Sequence, residues 1–297
     1  MPARQPLIAV LGAGSWGTAL AILLARHQNR VRMWGNLPEP VRQLNEDREN
    51  REFLPGVAFP DALSVTNDLA AAIEGVDEVL VVVPSHAFSS VMGQLRDINP
   101  ELASLSWATK GLEPGSRQLL HQVAADYFPG ADIGLISGPT FAMEVARGLP
   151  TAITVASSQR AHADRLAEYL KGETFRAYTS PDMVGVQVGG AAKNVMAIAA
   201  GIADGLGFGA NARAALITRG LAEITRLGLE LGGQHDTFMG LAGLGDLVLT
   251  CTDNQSRTRR MGLALARDLS IEEAKREIGQ EVEGVAAARD VYLKSGE

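Results

Sequence analysis

Leu7-Ile8-Ala9-Val10-Leu11-Gly12-Ala13-Gly14-Ser15-Trp16-Gly17 opens the chain, and Thr18-Ala19-Leu20-Ala21-Ile22-Leu23-Leu24-Ala25-Arg26 follows it directly. Five apolar residues without polar alternation predict a strand covered on both faces. The nine residues after the glycine turn predict a helix. In the turn, Gly12 permits a tight bend, Gly14 lets a pyrophosphate come close to the backbone, and Gly17 lets the helix pack closely on the strand. Amides at the positive end of that helix then face the phosphates. Strand, glycine turn and helix in this order, at the very start of the chain, predict a dinucleotide-binding fold rather than a chance GxGxxG.

Further along, Val31–Trp34, Asp77–Val83, Ser104–Thr109, Ile133–Ile136 and Ala152–Ala156 read as strands, with helical patterns over 86–97, 114–127 and 159–171. Alternating strands and helices predict an open, doubly wound α/β sheet. From about Pro181 the strand signal stops and Ala/Leu/Gly-rich helical periodicity takes over. The expected organisation is α/β plus all-α: a Rossmann-type domain over 1–185 and a helical domain carrying substrate and catalytic residues over 186–297. Val291-Tyr292-Leu293-Lys294 closes the chain without a stop signal, as in a truncated protein.

The 297 residues carry 27 basic and 34 acidic side chains, a net charge of −7, without long runs of one sign. That balance argues against a nucleic-acid or anionic-membrane partner and requires a local basic site for any anionic substrate. Cys251 is the sole cysteine, which excludes an internal disulfide, and no signal peptide or bilayer-length apolar stretch is evident. A cytoplasmic location follows as the expectation. His27, His86, His121, His162 and His235 are scattered without metal-ligand spacing, so no metal is expected.

Ligands of open α/β sheets lie beyond the carboxyl ends of the strands. There the sequence places Lys110-Gly111 after Trp107-Ala108-Thr109, and Ser137-Gly138-Pro139-Thr140-Phe141-Ala142, small residues and a hydroxyl, after Leu135-Ile136. In the helical part, Lys193 and Asn194 interrupt a run of small and apolar residues, Val188–Ala199. Such a lysine either snorkels or works with a depressed pKa, since burial and a second cation both disfavour its charged form. Asp246, after Gly240-Leu241-Ala242-Gly243-Leu244-Gly245, suits a helix N-cap, the reading the local pattern favours, or a carboxylate held at a site. Ser256-Arg257-Thr258-Arg259-Arg260 at a helix start is the best candidate for anion recognition, an exposed basic face being the alternative. Cys251 reads as a packing residue because no histidine lies near it in sequence.

With GAGSWG, VVVPSH, WATKG, ISGPTFA, GGAAKNV, GLGFGANARAALITRG and GLAGLGDLVLTCT in place, the chain resembles the bacterial NAD(P)-dependent glycerol-3-phosphate dehydrogenases over nearly its whole length. The resemblance implies reduction of dihydroxyacetone phosphate, a small phosphorylated triose, to glycerol 3-phosphate for phospholipid synthesis, with NAD(P)H as cofactor and a homodimeric assembly. It implies that Lys193 transfers the proton with Asn194 beside it, and that Lys110 touches substrate and cofactor. Gly138, Thr140, Asp246, Ser256, Arg257 and Thr258 fall at substrate positions, and Ser15, Trp16, Asn36, Ala142, Arg257 and Glu283 at cofactor positions. Thr258 stands where the family usually has asparagine, and Asn36 where a basic residue or histidine is frequent. Trp34-Gly35-Asn36 offers no acidic residue to grip a ribose 2′-hydroxyl, so NAD and NADP are not distinguished. Two other readings stay open: a related helical-domain hydroxy-acid dehydrogenase, and a non-catalytic NAD(H)-binding protein.

Overall fold

The computed structural model describes residues 4–279 and, beyond them, 282, 284 and 285. Two compact units emerge. The first comprises the chain up to Thr109, His121–Ile136 and Thr140–Pro181; the second comprises Lys110–Leu120, Ser137–Pro139 and the chain from Asp182. The second unit thus includes two short segments, Lys110–Leu120 and Ser137–Pro139, from the stretch of chain that also supplies the first.

The first unit runs β1 (Leu7–Leu11), α1 (Ser15–Arg26), β2 (Arg30–Trp34), α2 (Pro38–Asp47), β3 (Leu63–Thr66), α3 (Leu69–Ile73), β4 (Glu78–Val81), α4 (Ser85–Ile98), β5 (Ser104–Trp107), α5 (Leu120–Tyr127), β6 (Asp132–Ser137), α6 (Ala142–Ala146), β7 (Thr151–Ala156), α7 (Arg160–Leu170) and β8 (Phe175–Ser180). The eight strands form one sheet in the order β3-β2-β1-β4-β5-β6-β7-β8. Pairing is parallel at β1/β2, β1/β4, β2/β3, β4/β5, β5/β6 and β7/β8. Strand order reverses between β1 and β4, the switch point where such sheets take their ligands. All five β1 residues are buried, and the helices covering the sheet enclose Ile8, Val10, Leu20, Ile22, Leu24, Met33 and Leu80 in one core. This is the Rossmann-type doubly wound sheet the opening motif predicts, followed by a helical region.

Three details differ from the sequence reading. The helix placed over 114–127 begins only at Leu120, because Pro114-Gly115 forms a turn with Gly115 at φ +90°, and Leu112 bridges Leu119. β3 and β8, the two edges of the sheet, were not anticipated. Neither carries a continuous apolar run: β3 alternates buried and exposed residues, and β8 buries only Phe175 fully.

In the second unit lie α8 (Met183–Gly205), α9 (Gly209–Glu230), α10 (His235–Met239), α11 (Asp246–Thr252), α12 (Arg257–Leu265) and α13 (Ile271–Ile278), with a π-helical turn at Leu241–Gly245. Asp182 starts α8 by accepting the Gly185 amide at 2.8 Å on one carboxylate oxygen and the Gln234 amide at 2.8 Å on the other. α8 is long and apolar enough to cross a bilayer by length and composition, yet 67% of its apolar window is buried inside the protein, as befits a core helix. Val188, Ala192, Ala197 and Ala200 pack with Ile224, Phe238, Leu247 and Cys251. The small residues have a purpose at the α8/α12 crossing: a Cβ on Gly201 would lie 2.2 Å from the Arg259 carbonyl oxygen, and one on Gly262 2.1 Å from that of Ile198. Only glycine lets two helix backbones approach so closely.

Candidate active site

Within the second unit, α8 and α11 bring a lysine and an aspartate into the interior. Lys193 is 7% exposed and Asp246 1%. The Lys193 ammonium donates to Oδ1 of Asp246 and, at 3.0 Å, to the Thr250 hydroxyl. The other oxygen of the same carboxylate, Oδ2, accepts from Lys110 Nζ at 2.5 Å, and Lys110 also donates to the Gly138 carbonyl at 3.3 Å. Thr250 in turn donates to the Asp246 backbone carbonyl at 2.6 Å. Two ammonium groups therefore converge on one buried carboxylate.

Their electrostatics follow from that geometry. Burial disfavours the Lys193 ammonium, Asp246 restores part of its stability, and the second cation at Lys110 opposes it again; the balance sets its pKa at about 8. Burial pushes the Asp246 carboxyl up, but Lys110 and Lys193 together outweigh it and hold the group ionised, below the usual carboxylate range. An amine whose pKa is lowered beside an ionised carboxylate can move a proton at a reacting oxygen.

Asp246 is not the helix cap that its local pattern favours. α11 has Gly245 before it with no side-chain cap, and Asp246 turns its carboxylate to the lysines instead. The preceding π-helical turn is the kind of irregularity that recurs at functional sites. Thr250 was missed, although its position four residues after Asp246 puts both on one helix face. Ser137, the first residue of the loop the sequence places at the ligand edge, has a buried hydroxyl with no hydrogen-bond partner among the described residues, and a Cβ placed on Gly190 would lie 3.1 Å from it and 3.7 Å from the Lys110 side chain. Cys251 is fully buried, and burial pushes its thiol up to about 12, so it is inert packing.

Ser256 caps α12, its hydroxyl accepting the Arg259 amide at 3.1 Å, and leaves Arg257 as the first helical residue. Thr258, on the same turn, is buried and donates to Asn194 Oδ1 at 3.4 Å, which joins the basic helix start to the residue beside Lys193. An anion here would meet amides, hydroxyls and a guanidinium together.

In the first unit the glycine turn has the geometry a dinucleotide needs. Gly12 sits at φ +126°, and a Cβ there would be 2.3 Å from the Val82 carbonyl; one on Gly17 would be 1.9 Å from that of Gly12. At Gly14, by contrast, a Cβ would meet nothing within 4 Å, so the face over the start of α1 is open. α1 has no side-chain cap, and the Trp16 indole N–H is buried without a hydrogen-bond partner among the described residues. An open backbone face at a helix start fits a pyrophosphate. Asn36 is exposed two residues after β2, Thr140 is half-buried, and Ala142 begins α6. Glu283 lies outside the described residues, as does the segment 291–294.

A phosphate-binding Rossmann turn and a separate buried lysine–carboxylate set define a dinucleotide-dependent oxidoreductase. The model of the NAD-dependent glycerol-3-phosphate dehydrogenase N-terminus matches residues 7–163, and that of the C-terminus of the same enzyme matches 182–295. A glycerol-3-phosphate dehydrogenase (NAD(P)+) of Thioalkalivibrio sulfidiphilus is 57% identical over 99% of this chain and 88% of its own length. One from Yersinia pestis is 55% identical over 96% of this chain and 84% of its own. The crystal structure of glycerol-3-phosphate dehydrogenase from Coxiella burnetii superposes with a TM-score of 0.95 at 48% identity, covering 97% of this chain and 89% of that one. The chain belongs to the NAD-dependent glycerol-3-phosphate dehydrogenase family and is an oxidoreductase that uses NAD(P).

Proposed function

We propose that the chain interconverts dihydroxyacetone phosphate and sn-glycerol 3-phosphate, supplying the latter for phospholipid synthesis. The observation that carries this reading is the Lys110–Asp246–Lys193 set, in which one buried carboxylate holds two ammonium groups and burial with the second cation lowers the pKa of Lys193. Lys193 gives its proton to the C2 oxygen of the ketone as negative charge develops there, and Lys110 stabilises the same charge. Asp246 orients both lysines, and Asn194 stands beside Lys193 to position the substrate. The phosphate is gripped by Arg257 with Ser256 and Thr258, and Gly138 and Thr140 complete the substrate contacts.

Gly12, Gly14, Ser15, Trp16, Gly17, Asn36, Lys110, Ala142, Arg257 and Glu283 would hold the dinucleotide. When bound in reduced form it supplies a hydride to the carbonyl carbon. In this division of labour residues 1–185 bind nucleotide and 186–297 provide most of the substrate and proton-transfer groups. We place the enzyme in the cytoplasm as a homodimer.

The test is a spectrophotometric assay with dihydroxyacetone phosphate run in parallel with NADH and NADPH. Oxidation of the cofactor by that substrate, and not by 2-keto acids, is the expected result. Turnover of a 2-keto acid instead, or cofactor binding without turnover of either, overturns the proposal.

A further inference from the structure

Arg259 lies two residues beyond Arg257 and is 7% exposed. Its Nη1 lies 2.6 Å from Asp204 Oδ2 as an ion pair without hydrogen-bond alignment, and its Nε donates to Asn254 Oδ1 at 3.1 Å. Asp204 also takes Arg213 of α9 at 2.7 Å on that same oxygen. Burial works against this carboxylate, but the Arg213 and Arg259 guanidinium groups outweigh it and keep it ionised.

Each contact joins an element with a role in the site. Asn254 belongs to the loop between α11 and α12 that leads into Ser256 and Arg257; Asp204 ends α8, the helix that carries Lys193 and Asn194 about three turns earlier. Where the chains cross, the Arg259 backbone itself lies against Gly201. Its side chain therefore fixes the loop bearing the basic helix start and, independently, ties that helix to the one carrying the proton donor.

We infer that Arg259 and Asp204 are positioning residues for phosphate recognition: they set the distance and direction from the Arg257 grip to Lys193 without touching substrate. This rests on the reading of Arg257 as the phosphate grip. A rigid spacing matters because binding energy from the phosphate end of the substrate is used at the reacting carbonyl only if both ends are held in register. A buried guanidinium already held by Asp204 and Asn254 costs the substrate no ordering when it binds.

Four variants, Arg259→Gln, Arg259→Lys, Asp204→Asn and Asn254→Ala, are compared on dihydroxyacetone phosphate and on unphosphorylated dihydroxyacetone, with NADH affinity followed by fluorescence. Arg259→Gln should lower kcat/KM for the phosphorylated substrate by at least about thirtyfold while changing that for dihydroxyacetone less than about threefold. Arg259→Lys, which keeps the charge but loses the fork, should recover part of the difference. Asn254 is exposed, so Asn254→Ala reports on the loop even if the Arg259 variants do not fold. Equal losses on both substrates, or no loss in Asn254→Ala and Asp204→Asn, overturn the inference. Arg257→Ala is the control: if it leaves the phosphorylated substrate unaffected, the phosphate-grip reading fails; if only Arg257→Ala discriminates between the substrates, the positioning role alone fails.

Discussion

The Lys193 ammonium and the Asp246 carboxylate form a buried pair, and the second oxygen of that carboxylate is occupied by Lys110 at 2.5 Å. An isolated buried pair would hold its lysine protonated far into the alkaline range. Here burial and the extra cation bring Lys193 to about 8. As the acid in ketone reduction, Lys193 must be charged, so the single-turnover rate of reduction should fall as pH rises through about 8, while alcohol oxidation, which needs the free amine, should rise over the same interval. Lys193→Ala should abolish both limbs and slow turnover by at least about a hundredfold. A reduction rate that stays flat between pH 7 and 9.5 would exclude Lys193 as the acid.

Asp246→Asn tests the other half of the pair. Removing the negative charge takes away the main influence that favours the Lys193 ammonium and leaves two cations facing one amide. The Lys193 limb should move below 8, and stability should fall by about 3 kcal/mol, as for a buried pair deprived of one partner. Denaturant melts and pH–rate profiles on the same variant separate the two effects. A limb that stays at 8 would show that Asp246 does not face Lys193 in solution.

For Arg257→Ala the expected change is mainly in KM for dihydroxyacetone phosphate, rising at least about tenfold, because a lost guanidinium–phosphate contact is a loss of substrate binding. NADH titration of the same variant shows whether the arginine also serves the cofactor. An unchanged KM would remove Arg257 from the phosphate site.

Much of this was legible because it is local. Leu7–Gly17 states its strand, turn and helix in eleven consecutive residues, and Ser256-Arg257 announces a capped, basic helix start within one turn. β3 and β8 were hidden for the opposite reason: edge strands carry one exposed face and show no apolar run. The partners of Asp246 lie 53 and 136 residues away in sequence, so local pattern weighed a cap against a site and could not see the lysines that decide between them. Asp204 and Arg259 were invisible as a pair for the same reason, since nothing in GIADG or SRTRRMG reveals the crossing of α8 and α12. Thr250 was in reach, being one turn from Asp246 on the same helix.

A second buried network lies in the first unit, at the amino ends of β4, β5 and β6. Glu78 is 1% exposed and accepts the Ser104 hydroxyl at 2.5 Å; Ser106 meets His162 Nε2 at 2.9 Å, and Arg165 reaches both His162 and, at 3.2 Å, Asp132. Burial, only partly offset by the two serines, pushes the Glu78 carboxyl up to about 7, whereas burial and Arg165 hold the His162 imidazole down to about 4. Between pH 4.5 and 7 the native state therefore keeps a Glu78 proton that the unfolded chain has released. The stabilisation due to neutral Glu78 is complete below 4.5 and is lost as pH rises through 7, by up to about 3 kcal/mol. Glu78→Gln, which stays neutral throughout, should match the parent protein near pH 5 and exceed it in stability at pH 8. His162 is common to both proteins, so its own effect, a loss of stability as pH falls below 6.5, cancels in the comparison. Urea melts at the two pH values decide the matter: a difference that does not grow with pH would mean that Glu78 is ionised in the folded protein at neutral pH.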